Sequence, residues 1–162
     1  MPPTLTPVTI PLGSDAKMYI DAVEVNTATD ITLNLEKGEA NVTTRGSKGW
    51  EEFLPTNKSA SIDATLVWDT ADESFTKIMR AYLFGTPLDC MFLDGEYVAD
   101  SKGTGLNAWC GVFGFTREET LQNALTAKTK FKPTYAGSNE EMKPRWLVNG
   151  REEVATETGG GG

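Results

Sequence analysis

The chain of 162 residues contains no histidine. Histidine is the usual general base at neutral pH and the commonest metal ligand in proteins. Its absence excludes Ser-His-Asp and Cys-His arrangements, because both need an imidazole beside the nucleophile. A glycine-rich phosphate loop and a dinucleotide-binding fingerprint are also missing. We therefore predict that the protein is not an enzyme and has no cofactor and no metal ion.

Cysteine is scarce, and Cys90 and Cys110 both lie in apolar, strand-like segments. We expect two buried thiols in a reduced protein rather than a bridge between adjacent strands. A chain of this length usually forms one domain with its own hydrophobic core, so no disulfide is needed for stability. The cysteine content therefore points to synthesis in a cytoplasm.

Long apolar runs and a cationic leader are also absent, which argues against a signal peptide and a membrane anchor. Residues 1–15 are rich in proline and are expected to form an N-terminal arm. Residues 137–162 are expected to form a C-terminal arm that ends in a flexible glycine tail. The folded β-domain is predicted at 16–136.

Basic residues are outnumbered by acidic ones, 15 against 23, and the formal net charge is −8. Surfaces that grip nucleic acid neutralise phosphates with clustered lysine and arginine. The balance argues against such a surface. It fits a protein that DNA merely passes, and equally an ordinary soluble protein.

Apolar and polar residues alternate along much of the chain, which predicts strands. The clearest is at 59–68, where alternate positions from Ala60 to Trp68 are apolar. Hairpin turns are predicted at Lys37-Gly38 and Asp94-Gly95. The remaining strands are predicted at 17–20, 30–36, 40–44, 88–93, 96–99, 106–117 and 121–133.

One segment has the helical period instead, because apolar residues from Phe75 to Leu83 recur at helical spacing. Thr70 and Glu73 match a capping box, and Gly85 is expected to end the helix. The predicted fold is mainly β. We expect a β-sandwich or rolled barrel with one flanking α-helix at about residues 70–84.

A long segment without periodicity is predicted at 45–57, where Trp50, Phe53 and Leu54 stand among charged residues. Loops of more than about 12 residues in compact domains are usually functional or disordered. Because aromatic residues are enriched at interfaces, this loop is a candidate contact surface. The alternative is that Trp50 and Phe53 pack back onto their own domain.

Four segments together resemble the tail tube protein, or major tail protein, of long-tailed bacteriophages. They are DAKMYI at 15–20, DITLNLEKGEANVTTRGSKGW at 30–50, SIDATLVWDTADESFTKIMRAYLFGTPLDCMFLDG at 61–95 and TAKTKFKPTYA at 126–136. No single motif is diagnostic. The specificity comes from their joint occurrence, in order, over roughly residues 15–136.

The resemblance implies a structural virion protein of the phage tail, made in the cytoplasm of a bacterial host. It would self-assemble into hexameric rings that stack into a hollow tube. The tube would hold the tape-measure protein and conduct DNA without binding it specifically. Tail-tip and tail-terminator proteins are further expected partners, and no membrane is involved. The alternatives are a monomeric β-sandwich binding module, for example for carbohydrate, and a carboxylate-dependent hydrolase.

The resemblance also implies contacts between rings in the loop at 45–57. The candidate contact residues are Arg45, Lys48, Trp50, Glu51, Phe53 and Leu54. The candidate lumen-facing residues, from the polar faces of two predicted strands, are Thr32, Asn34, Glu36, Ser61, Asp63 and Thr65.

An acidic lumen would repel phosphates, so that DNA could slide along the wall. A ring of six would carry six times the formal charge of −8. Lys128, Lys130 and Lys132 are expected to face outward or to meet acidic neighbours. A lumen of mixed charge is the alternative.

Overall fold

The computed structural model describes residues 12–13, 16–95, 97, 103–134 and 143–148, and the backbone of 151–152. Most of the predicted N-terminal arm, most of the predicted strand at 96–99 and most of the predicted C-terminal arm lie outside these residues. The described chain forms an antiparallel sheet of nine strands and an α-helix, so the predicted mainly β fold is confirmed.

The sheet order is β2-β1-β5-β6-β7-β4-β3, while β8 pairs with β6 and β9 pairs with β8. The strands are β1 (Lys17–Ile20), β2 (Val23–Glu24), β3 (Ala28–Asn41), β4 (Phe53–Val67), β5 (Leu88–Leu93), β6 (Gly105–Glu118), β7 (Thr126–Pro133), β8 (Arg145–Val148) and β9 (Arg151–Glu152). The helix α1 is Glu73–Phe84. The strands β8 and β9 lie within the predicted C-terminal arm.

The sheet rolls over on itself because the long strand β6 pairs with β5 in one half of the sheet and with β7 in the other. The first part of β6 pairs with β5, and the part after Cys110 pairs with β7. The two halves meet in the core, where the rings of Phe92 and Phe131 lie 6.1 Å apart. Cys90 and Cys110 are buried there as free thiols, as predicted.

The helix α1 packs on the core through Phe75, which lies 5.1 Å from the Trp68 ring and 6.1 Å from the Phe115 ring. The predicted capping box at Thr70 is wrong. Asp72 caps the helix instead, because its carboxylate accepts a 3.0 Å hydrogen bond from the Phe75 amide. The helix ends at Gly85, as predicted, with φ at 68°.

The hairpin of β3 and β4 differs most from the prediction. The predicted turn at Lys37-Gly38 is wrong, because β3 continues through these residues to Asn41. Gly38 lies at an irregularity in the register, where an added Cβ atom would meet the Thr56 side-chain oxygen. The predicted loop at 45–57 is therefore also too long, because its last five residues belong to β4.

Candidate assembly interface

The far half of the β3–β4 hairpin extends beyond the rest of the sheet as a two-stranded ribbon. β7 pairs with β4 only from Ile62 to Val67. The pairing of β3 with β4 continues much further, to Asn41 opposite Phe53. A ribbon with solvent on both sides buries little apolar surface in the monomer, so packing alone stabilises it weakly.

The tip of the hairpin is held by side-chain hydrogen bonds. The Ser47 hydroxyl donates to the Glu52 carboxylate at 2.9 Å and accepts from the Thr44 amide at 3.1 Å. The Glu52 amide donates to the Thr43 hydroxyl at 2.9 Å. These residues were not among the sequence candidates. In the sequence, the hydrogen bond between Ser47 and Glu52 is indicated only by a serine followed five residues later by a glutamate, in a segment without periodicity.

All six candidate contact residues lie on this tip or at the end of the ribbon. Trp50 is 77% exposed, Leu54 57% and Phe53 46%, so their rings and methyl groups are not packed into their own domain. Phe53 and Leu54 are consecutive strand residues and point to opposite faces of the ribbon. The charged candidates Arg45, Lys48 and Glu51 are exposed beside them.

The six lumen-facing candidates lie on one face of β3 and β4. Thr32 is directly opposite Asp63 and Asn34 is directly opposite Ser61. The Asn34 amide donates a 3.4 Å hydrogen bond to the Asp63 carboxylate. The alternate residues of β4, such as Ile62, are fully buried, so the predicted separation of polar and apolar faces is confirmed.

The lysines of β7 share this polar face. Lys130 is directly opposite Asp63, and Lys128 is directly opposite Thr65. Lys128 also forms a 2.8 Å ion pair with Glu118, and this hydrogen bond raises the pKa of the lysine. Lys128 therefore meets an acidic neighbour, as expected, and the face that it shares with Asp63 is of mixed charge. Between β3 and β6 the face forms a shallow depression of about 400 Å³.

Among the described strands β3 is the terminal one of the sheet, so none of them pairs with its outer edge. Within the part of the chain that is described, the half of β6 after Cys110 also pairs on one side only, with β7. The four strands β3, β4, β7 and β6 thus form a polar-faced unit with two open edges. Open edges of this length are ready to pair with another chain.

Chemical sites are sparse in the described residues. They contain no group of three potential metal ligands and no helix long and apolar enough to cross a membrane. Burial raises the pKa of the Asp89 carboxyl, and the nearby charge of Asp21 raises it further. The charge of Arg145 offsets part of this increase. A hydrogen bond with Cys110 and burial raise the pKa of the Cys90 thiol well above its usual value.

Solved structures with a similar fold include two from tails and one from a virion. One is the tail of an empty gene transfer agent particle with C6 symmetry, at TM-score 0.64 and 12% identity, covering 77% of this chain and 95% of that chain. The virion of the native gene transfer agent gives TM-score 0.61 at 13% identity, with the same coverage. The SPP1 tail tube gives TM-score 0.61 at 15% identity, covering 88% of this chain and 80% of that chain.

No family model matches the sequence, and no curated protein matches it. At these low identities the structural likeness shows the fold alone. The resemblance to tail tube proteins that the sequence predicts is therefore confirmed at the level of the fold.

Proposed function

We propose that this protein is a tail tube protein, a structural component of a phage-type virion tail that assembles into stacked hexameric rings. The observation that carries the proposal is the polar-faced unit of four strands with an open edge on each side. Two further observations support it: the fold is that of the SPP1 tail tube chain, and a second neighbour is a tail with C6 symmetry.

In the proposed ring, the outer edge of β3 pairs with the open half of β6 in the neighbouring subunit. Six copies of four strands make a barrel of 24 strands. With strands about 4.8 Å apart and tilted by about 40°, the backbone circle measures about 48 Å across. A channel of this size admits a DNA duplex after side chains are allowed for. Ring closure also removes every long open edge of the monomer.

The polar face of the four strands lines the channel in this arrangement. Its charges are mixed, since Asp63 and Lys130 are directly opposite each other on adjacent strands. Such a wall offers phosphates neither a continuous basic surface to adsorb to nor a strong repulsive field. We propose that it holds the tape-measure protein and later conducts DNA without specific binding. The tail-tip and tail-terminator proteins would bind the two ends of the tube.

The hairpin tip supplies contacts between rings in this proposal. Trp50 and Leu54 are large, exposed and carried on an ordered tip, which are the properties of interface anchors. No catalytic step is assigned to the protein. A monomeric binding module, the alternative, would leave the 14-residue edge of β3 in solvent.

Size-exclusion chromatography followed by negative-stain microscopy tests the proposal. The purified chain should elute as rings or longer assemblies, and its images should show rings or tubes. A protein that stays monomeric at every concentration and salt condition would overturn the proposal in favour of the binding module.

A further inference from the structure

The two ends of the four-stranded unit differ in shape. At the base of the projecting ribbon a groove of about 840 Å³ opens between the hairpin, β6 and β8. We call it the basal groove. Its floor is apolar and is formed by Leu35, Ala60, Leu106, Pro133 and Trp146. Leu35 is 54% exposed and Trp146 is 37% exposed, so the floor is open to a partner.

The rim of the basal groove is basic. Lys37 and Lys58 lie directly opposite each other on β3 and β4. Lys132 and Arg145 also line the groove, and Glu36 is the one acidic residue among its described lining residues. Like charges in directly opposed positions destabilise a strand pair. Among the described residues no carboxylate forms an ion pair with Lys37, Lys58 or Lys132. The groove therefore suits an apolar segment flanked by acidic residues.

The opposite end of the same strands carries such a segment. The turn that joins β6 to β7 contains Leu121, whose side chain is 100% exposed, next to Glu118 and Glu119. Within the same subunit Glu118 pairs with Lys128 and Glu119 pairs with Arg117. Asp69 and Asp72 at the start of α1 belong to the same end, because the Trp68 amide bonds to the carbonyl group of Leu125 at 2.9 Å. One end of the subunit is thus basic and concave, and the other is acidic with a protruding leucine.

We propose that the basal groove of one subunit receives the β6–β7 turn of a second copy in the next ring. Leu121 would contact the apolar floor, and Glu119 would approach Lys37 and Lys58. The proposal rests on the proposed function. Groove and turn lie at opposite ends of the strands, so subunits at one height in a ring cannot make this contact. In a stack of rings that all have the same orientation, every ring makes this contact with the next ring. The contact is head-to-tail and can continue indefinitely, as the growth of a tube requires.

Disulfide trapping tests the contact directly. A chain carrying both Leu121→Cys and Ser59→Cys, the latter on the groove wall, should yield a ladder of multimers on non-reducing gels after assembly and oxidation. The native thiols are buried and serve as internal controls. A matched chain with Leu83→Cys and Ser59→Cys, where Leu83 is 63% exposed on α1, should give no ladder. Equal ladders in both chains, or none in either, would overturn the inference.

Charge reversal provides a second test. Lys37→Glu with Lys58→Glu, and separately Glu119→Lys with Leu121→Ser, should each form rings but raise the concentration needed for tubes at least about tenfold. The double-glutamate protein mixed with a Glu119→Lys protein should recover tubes, because each then meets a complementary end. Tubes from every variant at the wild-type concentration would contradict the contact. Failure of the wild-type protein to form any ring would instead contradict the proposed function.

Discussion

The Ser47 hydroxyl donates a 2.9 Å hydrogen bond to the Glu52 carboxylate across the tip of the β3–β4 hairpin. The same hydroxyl accepts from the Thr44 amide at 3.1 Å, so one side chain joins both sides of the tip. Ser47 is only 8% exposed although it lies on a projecting ribbon. The tip is thus ordered before it meets a partner, which lowers the entropy cost of docking.

Ser47→Ala should leave the domain folded but loosen the tip. Amide hydrogen exchange should accelerate from Val42 to Phe53 and stay unchanged in β5, since only the tip loses hydrogen bonds. Assembly should weaken, because the tip must then be ordered on docking. Ser61→Ala, on the sheet, is the control and should not change exchange at the tip. Unchanged protection of the tip in Ser47→Ala would show that the hydrogen bond does not order it.

Trp50→Ala should give a folded protein that polymerises poorly. The Trp50 ring is 77% exposed, so the free energy of unfolding should change by no more than about 0.5 kcal/mol. Removal of an interface anchor should reduce the tube yield strongly. Phe84→Ala, at a residue 75% exposed at the end of α1, is the matched control. Normal tubes from Trp50→Ala in electron micrographs would remove this residue from the interface.

Asp72→Ala should destabilise the domain by about 1 kcal/mol, because the Phe75 amide loses its capping acceptor. Thr70→Ala should have little effect, since the Thr70 side chain does not cap α1. Urea denaturation of the two variants separates the observed cap from the one predicted by the sequence. A larger loss in Thr70→Ala than in Asp72→Ala would contradict the observed cap.

Asp89→Asn should stabilise the protein at neutral pH. Burial raises the pKa of Asp89 in the folded state, so the folded protein binds this proton more tightly than the unfolded chain. The native carboxyl therefore costs stability as the pH rises from the unfolded-state pKa of about 3.9 through the raised value. In denaturation experiments at pH 4 and pH 7, the free energy of unfolding should fall less with rising pH in Asp89→Asn than in the wild-type protein. An identical pH dependence in both proteins would exclude this carboxyl as the cause.

The sequence predicts a strand or helix correctly where one of its faces packs into the core, because burial of that face makes apolar residues recur at regular spacing. In β4 and β7 the alternate residues from Ile62 to Leu66 and from Ala127 to Phe131 are buried, which matches the two-residue period of the sequence. The prediction at Gly38 is wrong because a glycine at an irregularity within a strand looks the same in sequence as a glycine in a turn. Thr70 was misread because several residues there can cap a helix.

Exposed apolar residues can be recognised by type in a sequence, whereas hydrogen-bond partners depend on the fold. Trp50, Phe53 and Leu54 stood out as apolar residues among charges, and the structure brings them to one tip. The Ser47–Glu52 bond and the placement of Lys130 opposite Asp63 arise from register and turn geometry. Neither can be read from a single sequence. The net charge of the chain predicts an acidic lumen, whereas the lysines of β7 give the polar face a mixed charge.

Cryo-electron microscopy of the assembled protein tests the central claim most directly. The account predicts rings of six subunits in which the outer edge of β3 hydrogen-bonds to β6 of the neighbouring subunit. It also predicts that Thr32, Asp63 and Lys130 face the channel. An assembly in which the edge of β3 stays unpaired, or in which this polar face points outward, would contradict it.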